Sequence, residues 1–203
     1  MTELLSDSDK YLLLKLAREA LEAAVHGQAA PAVDEAALSP DLTRPGCSFV
    51  TLTKQGDLRG CIGALRPLEP LYADVRHHAA QAALEDYRFP PVTPAELSTL
   101  EIEVSVLSEP QPLAYDRPED LVRLLRPEVD GVVLMQGFRR ATFLPQVWEH
   151  VPDAEQFLSM LCEKMGAAPS TWRKSKLEVQ TYQVEKFTEG ELRRPPQTAG
   201  EAH

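Results

Sequence analysis

Apolar residues recur along the chain with two different periods. Between residues 9 and 26, Leu12, Leu16 and Ala20 step by four, with Leu13, Ala17 and Ala24 beside them. That stripe predicts an amphipathic helix, capped from Asp7-Ser8-Asp9 and stopped at Gly27. A second stripe, Leu71, Val75, Ala79 and Ala82 or Ala83, predicts a helix opened by Leu68-Glu69-Pro70 and ending near Leu84. A third, Phe157, Leu158, Leu161 and Met165, follows a cap at Asp153 and stops at Gly166. Residues 100–107 alternate with period two. Leu100, Ile102, Val104 and Val106 face a core, and Glu101, Glu103 and Ser105 face away, as in a half-buried strand.

Two hairpins complete the pattern. Residues 47–53 and 58–64 flank the turn Lys54-Gln55-Gly56-Asp57, and residues 131–136 and 139–143 flank Gly137-Phe138. Thr93-Pro94-Ala95-Glu96 has the form of a capping box, and short helical turns open at Arg117-Pro118 and Pro145. The stretch 29–46 reads as a connecting loop, and Asp86-Tyr87-Arg88-Phe89-Pro90-Pro91 as a stiff extended segment. A last strand runs from Leu177 to Phe187, and residues 189–203 read as a disordered tail. Hairpins imply antiparallel pairing. The order therefore predicts an α+β fold, a mostly antiparallel sheet with flanking helices, as one domain over residues 1–188.

Composition narrows the function classes. The 203 residues carry 43% hydrophobic and 26% charged side chains, as soluble globular proteins do. No apolar run approaches the roughly 20 residues that span a bilayer, so no membrane association is expected. The N-terminus lacks a basic region followed by an apolar one, so the expected compartment is the cytoplasm. Three cysteines argue against a disulfide framework. A net charge of −10 disfavours a general nucleic-acid binder, although basic clusters stand at Arg139-Arg140 and Arg173-Lys174-Lys176. No Gly-rich phosphate loop, no serine-hydrolase elbow and no zinc-ligand spacing is present, so no cofactor and no metal are expected.

The candidate chemistry centres on Leu58-Arg59-Gly60-Cys61-Ile62-Gly63. In an extended strand Arg59 and Cys61 share one face, a guanidinium beside a thiol. Gly60 and Gly63 weaken the strand and clear room for a ligand or another backbone. Cys61 is the candidate nucleophile, against the commoner role of cysteine as a small buried hydrophobe. Glu103 is a candidate acid/base, with Glu101 and Ser105 on its face; solvated surface explains them equally well. Asp86 and Arg88 extend the polar network. His77 and His78 diverge by about 100° on their helix and read as exposed or capping residues rather than as a metal pair.

Taken in order, several segments resemble the AMMECR domain family, protein A of the AmmeMemoRadiSam system. They are Leu58-Arg59-Gly60-Cys61-Ile62-Gly63, then Asp86-Tyr87-Arg88-Phe89-Pro90-Pro91, then Leu100-Glu101-Ile102-Glu103-Val104-Ser105-Val106-Leu107. Ala141-Thr142-Phe143-Leu144-Pro145-Gln146-Val147-Trp148 and Phe157-Leu158-Ser159-Met160-Leu161-Cys162-Glu163-Lys164 follow. The resemblance covers roughly residues 8–188. Phe138 departs from it, where a small or polar turn residue is expected. It implies an α+β fold with a larger sheet-containing part and a smaller lobe. It implies association with a Memo-like protein and a radical S-adenosylmethionine protein, and is compatible with a homodimer. It supplies no settled reaction. Carried onto this chain, it points to Arg59, Gly60, Cys61 and Gly63, with Asp86, Arg88, Glu103 and Ser105 as companions. The expected function is binding of a small molecule or partner protein through a polar cleft at this motif. A cysteine-dependent enzyme is the alternative, and a nucleic-acid-linked regulator a weaker one.

Overall fold

In the computed structural model, which describes residues 4–192, each strong period forms the element it predicts. Helix α1 spans Asp7–Val25 and buries Leu13, Leu16, Ala17, Ala20 and Leu21. Its cap is Ser6, one residue earlier than expected, whose hydroxyl accepts from the Asp9 amide. Gly27 ends it at φ +67°. The following loop carries a 3-10 turn, Glu35–Ala37, and a single turn, α2, at Pro40–Thr43. Strands β1 (Cys47–Lys54) and β2 (Asp57–Gly63) form the first hairpin, and α3 (Leu71–Leu84) follows. After a 3-10 turn at Pro94–Thr99 comes β3 (Leu100–Leu107), the alternating strand. Then come β4 (Gln111–Pro112), α4 (Leu121–Leu124), and the second hairpin, β5 (Gly131–Gln136) and β6 (Arg139–Phe143). A 3-10 turn at Pro145–Glu149 precedes α5 (Ala154–Lys164) and α6 (Thr171–Lys174). The chain closes with β7 (Glu178–Tyr182), β8 (Val184–Thr188) and α7 (Glu189–Leu192).

The strands build two four-stranded sheets, β2-β1-β3-β8 and β4-β7-β5-β6, in an α+β fold. Among the described residues, one compact unit comprises residues 4–107 and 185–192, the other residues 108–184. The expected last strand, 177–187, is two strands. It breaks at Gln183, whose amide donates to the Ser108 hydroxyl and whose carbonyl accepts from the Ser108 amide. One half joins each sheet, so a continuous apolar pattern serves two partners. Strand β4, two residues long and containing a proline, left no periodic trace. The expected tail begins with the helical turn α7, anchored by the Arg18 guanidinium on the Glu189 carboxylate. Its residues 193–203 lie outside the described residues.

In the first unit, α1 and α3 cover one face of the sheet. Val50, Leu52, Ile102, Val104 and Val106 meet Leu13, Ala17, Leu21, Val75 and Ala79 there. Gly60 lies under α3: a Cβ at this position would fall inside the contact radius of the Ala82 carbonyl oxygen. In the second unit, Trp148 and Phe157 stack with ring centroids 3.7 Å apart, and Phe143 meets Phe157 edge-on at 5.3 Å.

Candidate functional site

Strand β2 is the edge of its sheet, so its outward backbone groups need partners from elsewhere. The segment after α3 supplies them. Asp86 accepts from the Cys61 amide at 2.8 Å, and Arg88 Nη2 donates to the Cys61 carbonyl at 3.2 Å. Two side chains thus imitate one residue of a neighbouring strand. They are also bonded to each other: Arg88 Nε reaches Asp86 Oδ1 at 2.9 Å, and Nη2 reaches Oδ2 at 2.6 Å. The Arg88 amide donates to Asp86 as well, at 3.1 Å, which folds the loop into a tight turn. The Arg88 hydrogen bonds hold the Asp86 carboxyl well below the usual carboxylate range, helped by the Cys61 and Arg88 amides and opposed by burial. Reciprocally, Asp86 raises the Arg88 guanidinium above its ordinary value.

The loop between these anchors is exposed. Tyr87 is 95% accessible, although Asp86 on one side is buried and Arg88 on the other is tied down. Val92 is buried, and its amide donates to the Ala83 carbonyl, so the loop returns to the core within five residues. Cys61 itself is half-buried, whereas Cys47 and Cys162 are buried. Burial pushes the Cys162 thiol up, which keeps it protonated. The Thr51 hydroxyl donates to Cys61 Sγ at 3.2 Å from the facing strand.

Arg59, expected on the face of this thiol, falls at an irregularity of the strand. The β1–β2 register runs Leu52↔Gly60 and then Thr53↔Leu58, which leaves Arg59 as the extra residue of a β-bulge. Its Nε and Nη2 donate to Glu96 at 3.1 and 3.2 Å, and Nη2 also reaches the Pro91 carbonyl. Glu96 takes Lys54 Nζ at 3.1 Å as well. The guanidinium therefore belongs to the Glu96–Lys54 cluster. Its hydrogen bonds, with one from the Thr93 amide, hold the Glu96 carboxyl far below its usual value.

The other expected companions are spread out. Glu103 pairs with Thr51 across β1–β3, and Thr51 pairs with Cys61 across β1–β2. Two interstrand spacings, about 10 Å, separate the Glu103 and Cys61 backbones. Glu103 is half-buried and Glu101 exposed, but Ser105, expected on an open polar face, is buried. Gly63 lies against the Phe49 ring, which a side chain there would strike. His77 is exposed beside Glu69. His78, expected to be exposed or capping, is buried with Ser48 and Asp74 on the helix-covered face. Asp74 accepts from the Ser48 amide at 2.8 Å and hydroxyl at 2.6 Å, and lies 3.2 Å from His78 Nδ1. The serine proton points at the carboxylate rather than at the imidazole, so this trio pins α3 to β1 instead of activating a nucleophile.

Sequence reasoning missed Glu96 and Thr51. The capping box around Glu96 was a visible signal: its carboxylate accepts from the Thr93 amide and hydroxyl at 3.0 Å each, and the same group holds Arg59. Thr51 gave none, because only the strand register brings it to the thiol. Among the described residues, no cluster of three or more His, Cys, Asp or Glu is placed to hold a metal ion, and no helix is long and apolar enough to cross a membrane.

The AMMECR1 family model matches residues 14–187. The chain belongs to the AMMECR1 family. A relative from Methanothermobacter thermautotrophicus is 40% identical over 187 residues, covering 91% of this chain and 96% of the relative. One from Thermofilum pendens is 38% identical over 202 residues, covering 91% and 92%. The crystal structure of the uncharacterized protein PH0010 from Pyrococcus horikoshii superposes with a TM-score of 0.75 at 32% identity, covering 95% of this chain and 97% of that one. The AMMECR1 core thus takes in both sheets, the Cys61 edge and the Asp86–Arg88 loop.

Proposed function

We propose that this AMMECR1-family protein is a binding protein whose working surface is the capped edge of β2: Cys61, Arg88 and the loop carrying Tyr87. The observation that carries the reading is the Asp86–Arg88 pair closed on the Cys61 backbone. It holds a fully exposed tyrosine and a part-exposed arginine on a fixed support. Tyrosine and arginine dominate protein interfaces, and a rigid support lowers the entropy cost of using them. The occupant is a partner protein, and the Memo-like protein suggested by the family resemblance is the first candidate. Tyr87→Ala removes only exposed atoms, so it leaves the melting temperature unchanged. It is expected to weaken capture of the purified Memo-like protein at least about tenfold. Undiminished capture by that variant, or no capture by the parent protein, overturns the reading.

A second reading is favoured by one contact. The Thr51 hydroxyl donates to Cys61 Sγ and so orients the sulfur of the half-buried cysteine, as a positioned nucleophile requires. In a cysteine-dependent enzyme, Cys61→Ser abolishes turnover and leaves partner capture intact. In a binding protein, Cys61→Ser has no turnover to abolish.

A further inference from the structure

Phe138 is the most exposed large apolar side chain of the described residues. It stands at the tip of the β5–β6 hairpin, in a two-residue turn whose first central position is Gly137 at φ +59°. Glycine fills that position without strain, as a type II′ turn requires, and the second central residue is left in solvent. Nothing in the fold of this unit uses the phenyl ring.

The topology gathers cations behind that ring from segments far apart in sequence. Arg139 and Arg140 follow it directly and are exposed. Met135 pairs with Glu178, so Lys176, two residues before Glu178, stands toward the same end of the sheet. Arg139 Nη1 donates to the Gly166 carbonyl at 3.0 Å, which brings the end of α5 there too. From α5, Lys164 Nζ reaches the Thr142 carbonyl at 2.9 Å and lies 4.9 Å over the Phe143 ring. Among the described residues none of these four cations is in an ion pair; Arg173, on α6, is by contrast paired with Glu155. Against them stand Glu163 and Glu178, both exposed, and Asp116, next to the Tyr115 ring over which Lys176 lies. The positive surplus is local, on a chain whose net charge is −10.

We propose that this end of the second unit, the Phe138 tip with Arg139, Arg140, Lys164 and Lys176 behind it, docks on an anionic phospholipid surface. A bilayer presents its chemistry in the same order: phosphates outermost, hydrocarbon beneath. A projecting ring reaches the acyl boundary while the cations behind it meet headgroups. Single-stranded nucleic acid fits less well, because it runs along a groove lined with several stacking rings, and here one ring stands on a projecting turn. At physiological salt the Debye length is about 8 Å, so acidic groups farther from the membrane oppose docking weakly.

The test is co-sedimentation of the full-length protein with phosphatidylcholine vesicles, with and without about 30% phosphatidylglycerol. The bound fraction is expected to be at least about fivefold higher on the anionic vesicles and to fall with added salt. Phe138→Asp and the double variant Arg140→Glu/Lys176→Glu alter exposed side chains, so their melting temperatures stay at the parent value. Each is expected to lose at least about fivefold in binding. Equal sedimentation with both vesicles, none with either, or undiminished binding by the variants overturns the proposal. So does tight binding of a single-stranded oligonucleotide by a protein that leaves the vesicles in the pellet untouched.

Discussion

A methyl group on residue 60 would collide with the Ala82 carbonyl oxygen, which belongs to helix backbone and cannot rotate away. Gly60→Ala must push α3 off the sheet or bend β2. Either distorts the edge that Asp86 and Arg88 close. The variant is expected to lose about 3 kcal/mol, read as a lower denaturant midpoint, with Cys61 more readily alkylated. An unchanged midpoint would mean that the helix is not held so close. The glycines of this motif were legible in the sequence as positions of close approach, and at Gly60 the approaching group is backbone. The fate of Arg59 was not legible. Period two describes only a regular strand, the bulge at Arg59 is set by pairing with β1, and the Glu96 carboxylate that Arg59 meets lies 37 residues away. Arg88, which donates to the Cys61 carbonyl, comes from 27 residues further along.

At the scale of elements, the two hairpin turns use different solutions. Gly137 takes the one left-handed position of its turn. In the β1–β2 turn both central residues have positive φ, Gln55 at 55° and Gly56 at 89°, the pattern of a type I′ turn. A side chain as long as glutamine gains nothing there and pays for the strain, whereas asparagine tolerates it. Gln55→Asn is therefore expected to raise stability by about 0.5 kcal/mol, measured as a higher urea midpoint with an unchanged slope. A lower midpoint would show that the glutamine side chain contributes an interaction of its own. Helices α1, α3 and α5, strand β3 and both hairpins were readable because each repeats its period long enough to be unambiguous. The strand 177–187 was readable as apolar but not as divided, since a single alternation can serve two sheets. Ser105 was assigned to the correct face of β3, but alternation does not say whether that face is open.

For the whole molecule, acid is the informative variable. Asp86 and Glu96 are held far below their ordinary values in the folded protein, chiefly by hydrogen bonds from Arg88 and Arg59. Near pH 4 the unfolded chain takes up protons at these groups and the folded chain does not. Their contribution is complete above the ordinary carboxylate range and is lost as pH falls through the folded-state values. The melting temperature is expected to be flat in this respect from pH 7 to about 5 and to drop steeply below about 4. Asp86→Asn lowers it at neutral pH and shallows the acid slope, because the group that titrates is gone. An acid slope identical to that of the parent protein would show that Asp86 does not report on folding.

The central claim is that the edge at Cys61 and Tyr87 is where a partner sits. The direct measurement is the rate of Cys61 alkylation by iodoacetamide in the native protein, mapped by mass spectrometry, with and without the Memo-like protein at saturation. Cys61 is expected to react while Cys47 and Cys162 stay protected, and partner binding is expected to slow it at least about fivefold. A stoichiometric complex in which Cys61 reacts as fast as in the free protein would place the partner elsewhere and contradict the account.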